Sequence, residues 1–305
     1  MEEFIEIIDA HSHLWLRQDA EVDGKAVRTL DRGRSLFFGE EVQMLPPFML
    51  DGRNSAEVFL SNMDYARVGG AVVVQEFIDG LQNDYLAEVV RNNPNRFKVC
   101  FMCRWQNEGF LGDALDLMDT GLYAGAAIPG HRLSAPLDGP EFMKMYEEME
   151  RRGLYLSLCL HESNRQIPEF EHIVRTFPSL KIAIGHFGMA PLEGWRDQIL
   201  LARHPNVFVE SGGITWLYNS EFYPYPSAMK AIREAADLVG IDKLMWGSDY
   251  PRTITAITYR MSYDFILKSD LLTENEKRAF LGGNAKKFYG FGPLPELPYI
   301  KNMSE

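Results

Sequence analysis

The residues best suited to chemistry lie near the start of the chain, where two histidines end a short apolar segment. The segment 7–13 ends with His11 and His13, which are two positions apart. Side chains at this spacing on a β-strand project from the same face, so both imidazoles can reach one ion. Histidine is a frequent ligand of divalent metals at neutral pH. The pair predicts a metal site, and the alternative of a polar turn after a buried strand stays open until further ligands are found.

Composition and charge restrict the class of protein. Of the 305 residues, 46% are hydrophobic and 24% are charged, which is typical of a globular protein with one large core. The net charge of -12 argues against nucleic-acid binding, which needs a clustered positive surface. No apolar stretch reaches the roughly twenty residues of a membrane span, and the acidic start at residues 1–3 is unlike a signal peptide. We expect a cytoplasmic protein that binds a small-molecule substrate, with no membrane or nucleic-acid partner.

The three cysteines do not indicate a disulfide framework, because an odd number leaves at least one unpaired. Cys100 and Cys103 form a C-x-x-C pair inside the apolar run 97–103. Residues three apart on a strand point to opposite faces, so we expect buried structural thiols rather than a redox or zinc pair.

Short apolar segments alternate with helical segments along the whole chain. The strand candidates are residues 4–9, 71–75, 97–103, 122–126, 154–160, 181–185, 207–211 and 243–247. The helix candidates are residues 57–67, 85–92, 111–118, 141–151, 169–177, 197–203 and 228–239. This alternation predicts an α/β fold, a single (β/α)8 TIM-barrel domain over residues 1–305, rather than an open sheet with a glycine-rich dinucleotide loop.

The longest connections follow the strands, at the end of the barrel where such folds place their active sites. They are the insertion 14–55 and the segment from residue 248 onward. Within the insertion, the apolar run 44–50 predicts either a lid over the site or a subunit contact. The tail 291–305 contains several prolines, which predicts an extended wrap over the surface.

The ends of the fifth, sixth and eighth predicted strands supply three more candidates for the site. These are His161, His186 and Asp249. On the fifth strand, leucines at even positions alternate with residues of mixed polarity at odd positions, which places His161 on the interior face. Each residue alone is more typical of a satisfied buried histidine or a capping aspartate, but their shared position at strand ends favours one common site.

Several short motifs at these positions resemble the amidohydrolase superfamily, in the branch that includes decarboxylases, hydratases and lactonases. The motifs are Ile8-Asp9-Ala10-His11-Ser12-His13, Leu160-His161-Glu162, Gly185-His186-Phe187-Gly188, Trp246-Gly247-Ser248-Asp249-Tyr250-Pro251 and Gly283-Asn284-Ala285-Lys286-Lys287-Phe288-Tyr289. The resemblance implies that His11, His13, His161 and Asp249 bind one divalent metal, zinc or manganese. It also implies that His186 orients or deprotonates a water molecule, and it suggests a homo-oligomer.

The chemistry of these residue types agrees with that implication. A metal held by imidazoles and a carboxylate lowers the pKa of its bound water and polarises a carbonyl oxygen. Asp249 then accepts the proton of the water, which makes Asp249 and His186 the predicted catalytic residues. Members with two metals carry a lysine after the fourth strand, whereas residues 122–128 contain none, so one metal is expected. Some lactonases of this branch use the same residues without metal, and that alternative stays open.

Arginines near the predicted mouth of the barrel are candidates for binding the substrate. Arg104, Arg132 and Arg252 can each hold a carboxylate through two hydrogen bonds, although each can equally form a structural salt bridge. Further candidates for lining the pocket are Trp15, Gln75, Glu76, His131, Glu162, Glu210 and Trp216. His131 is included with the three arginines in the predicted substrate site.

The sequence therefore predicts a metal-dependent hydrolase of a small anionic or sugar-derived molecule, with lactone hydrolysis as the leading reaction. Non-oxidative decarboxylation of an aromatic or unsaturated acid is the first alternative, and a metal-independent lactonase is the second. A barrel that binds a metabolite without turnover is a further hypothesis, which predicts that Asp249→Asn leaves ligand affinity intact.

Overall fold

The computed structural model describes residues 5–22 and 24–303. Within them the strands are Ile7–Ser12 (β1), Asp19–Val22 (β2), Lys25–Thr29 (β3), Arg34–Phe37 (β4), Glu40–Gln43 (β5), Val68–Val73 (β6), Phe97–Phe101 (β7), Gly125–Ile128 (β8), Tyr155–Leu158 (β9), Lys181–Ile184 (β10), Val207–Glu210 (β11) and Leu244–Met245 (β12). An eight-stranded parallel sheet runs in the order β1, then β6 to β12. Two backbone hydrogen bonds close the sheet, from Ala10 to Trp246 and from Asp249 to His11, both 2.9 Å long.

This arrangement confirms the (β/α)8 TIM barrel. Each of the eight barrel strands overlaps a strand predicted from the sequence, although the first begins at Ile7 and continues to Ser12. Phe4, at the start of the predicted first strand, lies outside the described residues. The fifth predicted strand corresponds to β9, and the sixth and eighth correspond to β10 and β12.

Helices cover the outside of the barrel between the strands. They are Ala56–Ala66 (α1), Asn83–Asn92 (α2), Phe110–Asp119 (α3), Pro140–Arg152 (α4), Ile167–Thr176 (α5), Trp195–Leu200 (α6), Ile214–Leu217 (α7), Pro226–Val239 (α8), Met261–Leu267 (α9), Glu274–Arg278 (α10) and Asn284–Tyr289 (α11). All seven predicted helices are confirmed, with ends that differ by a few residues. Among the helices of the described segments, none is long and apolar enough to cross a bilayer.

Local sequence explains why helix α4 forms and where it stops. Pro140 occupies the first turn, where its missing N–H costs nothing, and Gly153 ends the helix with φ 69°. Phe142, Met145 and Met149 recur at helical spacing and are buried against the barrel. Through these side chains the helix packs into the main hydrophobic core.

The alternation along β9 sorts its side chains between the two sides of the barrel wall. Leu156 and Leu158 are fully buried in the core between strands and helices. Ser157, Cys159 and His161 instead line the cavity at the mouth of the barrel. The prediction that His161 faces the interior is confirmed, because the period of two carries each odd-numbered residue inward.

A separate aromatic cluster fills the bottom of the barrel. Tyr155, Phe288, Tyr289 and Phe291 pack with small residues of the barrel interior. The tail beyond Phe291 is extended and contains no helix or strand through residue 303, and Leu294 packs on the partly buried edge of this cluster. Residues 304–305 of the predicted wrap lie outside the described part of the chain. The barrel is thus closed at this end, and the strand ends at the opposite end face a cavity.

Cys100 and Cys103 are buried and free, as predicted, whereas Cys159 is free and partly buried. Burial raises the pKa of Cys100 and of Cys103 to about 12, so both remain neutral thiols at physiological pH.

The insertion 14–55 contains structure that the sequence prediction did not assign. Strands β2 to β5 form a four-stranded antiparallel sheet, paired in chain order. Asp23, between β2 and β3, lies outside the described residues. After the sheet, Leu45 and Met49 pack on Trp15, whereas Phe48 and Leu50 are 74% and 66% exposed.

Candidate active site

The five residues predicted from strand ends line one cavity at the mouth of the barrel. His11 lies in β1 and His13 directly follows it, while His161, His186 and Asp249 follow β9, β10 and β12. The cavity has a volume of about 590 Å³, which is sufficient for a small organic molecule. The fold thus brings residues from distant parts of the sequence into a single site.

Three ligand-type atoms converge at the bottom of this cavity. His11 Nε2 lies 3.1 Å from His13 Nε2. Asp249 Oδ1 lies 3.5 Å from His11 Nε2 and 3.3 Å from His13 Nε2. Around a tetrahedral zinc ion with bonds of about 2.0–2.1 Å, neighbouring ligand atoms are about 3.3–3.4 Å apart. The spacing of the three atoms fits such an ion.

Buried carboxylates lie behind both imidazoles. Glu210 Oε1 is 2.8 Å from His11 Nδ1, and Asp79 Oδ2 is 2.7 Å from His13 Nδ1. Each carboxylate accepts the proton of the nearer nitrogen, so in the neutral imidazole the lone pair for a metal is on Nε2. This carboxylate–histidine arrangement is the usual support of metal-binding histidines. It is a second feature of the site that fits a divalent cation.

The charges of the site also favour a cation between these groups. Burial alone lowers the pKa of His13, but the carboxylates of Asp79 and Asp249 outweigh it and hold this pKa well above its usual value. Burial alone raises the pKa of Asp249, but the hydrogen bond with His13 and the nearby imidazoles hold it well below its usual range. Asp249 is therefore ionised at neutral pH and available as a ligand.

Trp216 fixes the orientation of the Asp249 carboxylate. The indole Nε1–H donates to Asp249 Oδ2 over 2.6 Å, so that Oδ1 is the oxygen facing the histidines. Asp249 itself has φ 58°, in the left-handed region that non-glycine residues seldom adopt. This backbone geometry turns the side chain into the cavity, and strain of this kind concentrates at functional sites.

His186 lies beside the three converging atoms. Its ring centroid is 4.7 Å from that of His11. One ring nitrogen of His186, one ring nitrogen of His11 and a carboxylate oxygen of Asp249 all lie within 4.8 Å of one another. His186 Nδ1 is 2.9 Å from the carbonyl oxygen of Gly212, to which it donates. Nε2 therefore carries a lone pair, which can complete a ligand set or take a proton from a water molecule.

His161 also lies in the cavity wall, where its ring is engaged by a neighbouring turn. Its Nδ1 accepts from the backbone N–H of Ser163 over 3.1 Å and also lies 2.9 Å from the Ser163 hydroxyl. An acceptor at Nδ1 places the ring proton on Nε2, which is then a donor and not a metal ligand. This geometry does not favour the role of fourth ligand that the resemblance implied.

Three glycines make room for the carboxylate of Glu210 behind His11. A Cβ added at Gly247 would lie 2.8 Å from Glu210 Oε2 and 2.8 Å from His11 Cβ. Added Cβ atoms at Gly185 and Gly212 would lie 2.9 Å and 2.7 Å from oxygens of the same carboxylate. The buried Glu210 position therefore requires glycine on the neighbouring strand ends.

Two predicted substrate-binding residues, Arg132 and His131, lie side by side in the cavity wall. The Nε of Arg132 donates to Glu76 Oε1 over 2.7 Å, so its terminal nitrogens can face a ligand. Burial, and then the positive charge of Arg132 and the nearby imidazoles of His186 and His161, lower the pKa of His131 to about 3. His131 is thus a neutral hydrogen-bonding group.

The other two predicted arginines occupy different positions. Arg252 lines the cavity, and its guanidinium carbon lies 3.7 Å from the ring centroid of Trp216. Arg104 is exposed, and it is not among the residues that line the cavity. Among the further candidates, Glu210 is buried behind His11 and the rest line the cavity.

Sequence reasoning missed two contributions to the site. Asp79 lies in the short 3-10 helix Phe77–Asp79 after β6, where its only local sign is a capping box with Glu76. The small sheet contributes Phe37, Val42 and the adjacent Met44 to the cavity wall. Neither contribution comes from a strand end of the barrel, so the pattern of polar residues at strand ends does not reveal it.

Comparison with known proteins identifies relatives over most of the chain. Residues 8–291 match the family model described as amidohydrolase. A protein of Sinorhizobium fredii named "Uncharacterized protein y4mH" is 30% identical over 161 residues, which are 49% of this chain and 52% of that protein. An L-fucono-1,5-lactonase of Burkholderia ambifaria is 31% identical over 96 residues, which are 28% of this chain and 32% of that protein. The matches thus span about half or less of these curated relatives.

Solved structures share the fold at low identity. A probable 2-pyrone-4,6-dicarboxylic acid hydrolase from Acinetobacter baumannii, with citric acid bound, has a TM-score of 0.70 at 19% identity, covering 94% of this chain and 100% of that one. An amidohydrolase from Burkholderia multivorans with bound zinc has a TM-score of 0.72 at 17% identity, with the same coverage. A 5-carboxyvanillate decarboxylase from Sphingomonas paucimobilis has a TM-score of 0.64 at 18% identity, covering 95% and 100%. At these identities the likeness shows the fold alone.

Proposed function

The chain belongs to the amidohydrolase family, and we propose that it is a metal-dependent hydrolase that opens a small lactone. The observation that carries the proposal is the convergence of His11 Nε2, His13 Nε2 and Asp249 Oδ1 within 3.1–3.5 Å of one another. These three residues would hold one divalent ion, zinc or manganese. Three protein ligands with an open position are typical of catalytic zinc sites.

When bound, the ion lowers the pKa of a water molecule towards neutrality and polarises a carbonyl oxygen. The protein provides the proton acceptor, and the hydrogen bond from His186 Nδ1 to Gly212 leaves His186 Nε2 free for this role. Asp249 is the weaker acceptor, because Trp216 occupies its Oδ2 and the histidines face its Oδ1. We therefore assign the proton to His186 and the ligand role to Asp249.

The water molecule, the lactone and His186 account for every bond and proton in the ring opening. The water oxygen forms a bond to the lactone carbonyl carbon while its proton passes to His186 Nε2. The ring C–O bond breaks, and the leaving oxygen takes up the proton that His186 held. A neutral His131 and the free nitrogens of Arg132 are placed in the cavity wall to bind polar groups of the substrate.

Two properties of relatives support lactone hydrolysis over other amidohydrolase reactions. The curated relative with the shorter match is an L-fucono-1,5-lactonase, and one structural neighbour is a probable 2-pyrone-4,6-dicarboxylic acid hydrolase. A zinc-bound amidohydrolase among the structural neighbours supports the choice of metal. A small anionic or sugar-derived lactone is the proposed substrate. The cytoplasmic location and the homo-oligomer stay predictions from the sequence.

The test is a panel of lactones monitored by acid release, in parallel with aromatic acids monitored for carbon dioxide. We expect lactone opening that a chelator abolishes and that zinc or manganese restores. His186→Gln should retain metal but lose turnover, which separates proton transfer from metal binding. Activity that survives complete metal removal would instead favour the metal-independent mechanism. Release of carbon dioxide without lactone opening would favour decarboxylation, the reaction of another structural neighbour.

A further inference from the structure

We propose that the sheet formed by β2 to β5 determines the substrate class, by adding a fixed apolar wall to the catalytic cavity. The site would then accept a lactone with a hydrocarbon face, such as an aromatic-fused or alkyl-substituted ring, and discriminate against polyhydroxylated sugar lactones. This inference rests on the proposed function and narrows it. It concerns residues 19–22 and 24–44, which lie outside the barrel.

The side chains that the insertion presents to the cavity are mainly apolar. Phe37 ends β4, Val42 belongs to β5, and Met44 follows it; all three line the same cavity as His11 and Asp249. A hydrocarbon ring that packs against these side chains moves out of water without losing any hydrogen bonds. A hydroxyl in the same place loses its hydrogen bonds to water, which lowers affinity by about tenfold or more.

The polar amides of the cavity wall are already engaged by the protein. The amide nitrogen of Gln43 donates to the carbonyls of Arg32 and Leu45 over 2.8 Å and 2.6 Å. The amide nitrogen of Gln75 donates to Asn83 Oδ1 and to the Cys100 carbonyl, both over 2.8 Å. Neither amide nitrogen has a hydrogen left for a sugar hydroxyl, since each has two.

The wall is held in place by buried hydrogen bonds. Gln18, which is fully buried, donates to the Ile78 carbonyl over 3.1 Å and accepts from the Ser35 hydroxyl over 2.6 Å. Ile78 also lines the cavity and precedes Asp79, so this link ties β4 to the active-site turn. The sheet is therefore anchored to the active-site turn, and its apolar side chains form a fixed part of the cavity wall.

The guanidinium of Arg132 adds a contact between the wall and the barrel. Its central carbon lies 5.6 Å from the ring centroid of Phe38, in the turn between β4 and β5. An arginine next to an aromatic ring is stabilised in that position. The cavity thus combines an apolar wall with a cation, which suits a ring that carries a carbonyl or carboxylate at one edge.

The experiment compares two hydrolysis-resistant lactams with the zinc-loaded full chain by isothermal titration calorimetry. The apolar probe is 3,4-dihydroquinolin-2-one, and the polyhydroxylated probe is D-glucono-1,5-lactam. We expect the wild-type protein to bind the apolar probe at least about tenfold more tightly. Equal affinity, tighter binding of the gluconolactam, or binding of neither probe would overturn the inference.

A pair of near-isosteric polar substitutions tests whether the wall is the cause. Val42→Thr/Met44→Gln should weaken binding of the apolar probe by about tenfold. The matched control is Phe48→Gln, in the same insertion but 74% exposed, which should leave both affinities unchanged. If the double variant behaves like the control, the wall does not set the preference. Zinc content and circular dichroism establish that each variant is folded, and the wild-type comparison stands without any variant.

Turnover of the corresponding lactones separates the two proposals. If the apolar lactam preference is found and no lactone is opened, the proposed function fails while the wall inference holds. If D-glucono-1,5-lactone is opened faster than 3,4-dihydrocoumarin, the hydrolase proposal holds and the wall inference is overturned.

Discussion

Replacing Asp79 by asparagine should weaken metal binding by about 10- to 100-fold while the barrel remains folded. Asp79 Oδ2 lies 2.7 Å from His13 Nδ1, and the side chains of His13 and Asp79 are only 12% and 2% exposed. Salt and solvent therefore screen this interaction little. A hydrogen bond to a charged group contributes about 1.5–3 kcal/mol, which is about 10- to 150-fold in a dissociation constant. This range matches the expected loss of metal affinity. Asparagine is the suitable replacement, because it preserves the shape of the side chain and removes its charge.

The assay is competition for zinc between the protein and a chromogenic chelator. The matched control is Asp138→Asn, since Asp138 Oδ2 lies 2.8 Å from Nδ1 of His172, whose side chain is 55% exposed, and neither residue lines the cavity. This variant removes the same charge from an equivalent pair and should leave zinc affinity unchanged. A folded Asp79→Asn protein with an affinity within about twofold of wild type would refute the role of Asp79. An equal loss in both variants would refute it too, because only net charge would then matter.

Three further predictions test the surroundings of the site. Burial, partly offset by hydrogen bonds, raises the pKa of Asp9 from 3.8 to about 6. At a pH between these two values, Asp9 is therefore protonated in the folded chain and ionised in the unfolded chain. The free energy of unfolding should therefore fall by about 3 kcal/mol as pH rises from about 3 to 7, and denaturation of metal-free Asp9→Asn should lack this component. Phe59→Ala should lower the free energy of unfolding in urea by about 3–5 kcal/mol, because Phe59 is fully buried with its ring centroid 4.1 Å from that of Tyr250. Gly247→Ala should weaken zinc binding by about tenfold in the chelator assay without changing any charge, since its Cβ would lie 2.8 Å from Glu210 Oε2.

The barrel was predictable because the apolar residues of its strands and helices recur at the regular spacing of each element. Leu156 and Leu158 face the helices, while Ser157 and Cys159 face the cavity, which follows directly from the alternation in a strand. The helical spacing of apolar residues likewise located α4 within one residue at each end. Such periods depend on local geometry, so they are visible in a single sequence.

The small antiparallel sheet was not predicted, because its strands lack a clear hydrophobic period. Strand β5 reads Glu-Glu-Val-Gln and is largely exposed. Its stability comes from pairing with β4, including an ion pair between Arg34 and Glu41 that no local pattern reveals. The glycines Gly24, Gly33 and Gly39 all have positive φ, and their spacing was the available signal for successive hairpins.

The strand-end residues of the site were predictable, but their supporting contacts were not. His11, His13 and Asp249 lie at or after the ends of apolar strands, and the barrel necessarily brings such positions to one mouth. The pairing of His13 with Asp79 joins residues 66 positions apart through a turn whose path the sequence does not specify. Likewise, the turn after β9 that places Ser163 against His161 Nδ1 decides the tautomer of that histidine.

The metal content of the purified chain tests the central claim most directly. Inductively coupled plasma mass spectrometry of the untagged protein should find about one zinc or manganese ion per chain, as expected for a three-ligand catalytic site. The double variant His11→Ala/His13→Ala should lose this ion while remaining folded, because it removes two of the three converging ligand atoms. A wild-type protein that holds no metal after incubation with zinc and with manganese would contradict the metal-dependent mechanism. Retention of the ion by the double variant would contradict the assignment of the site.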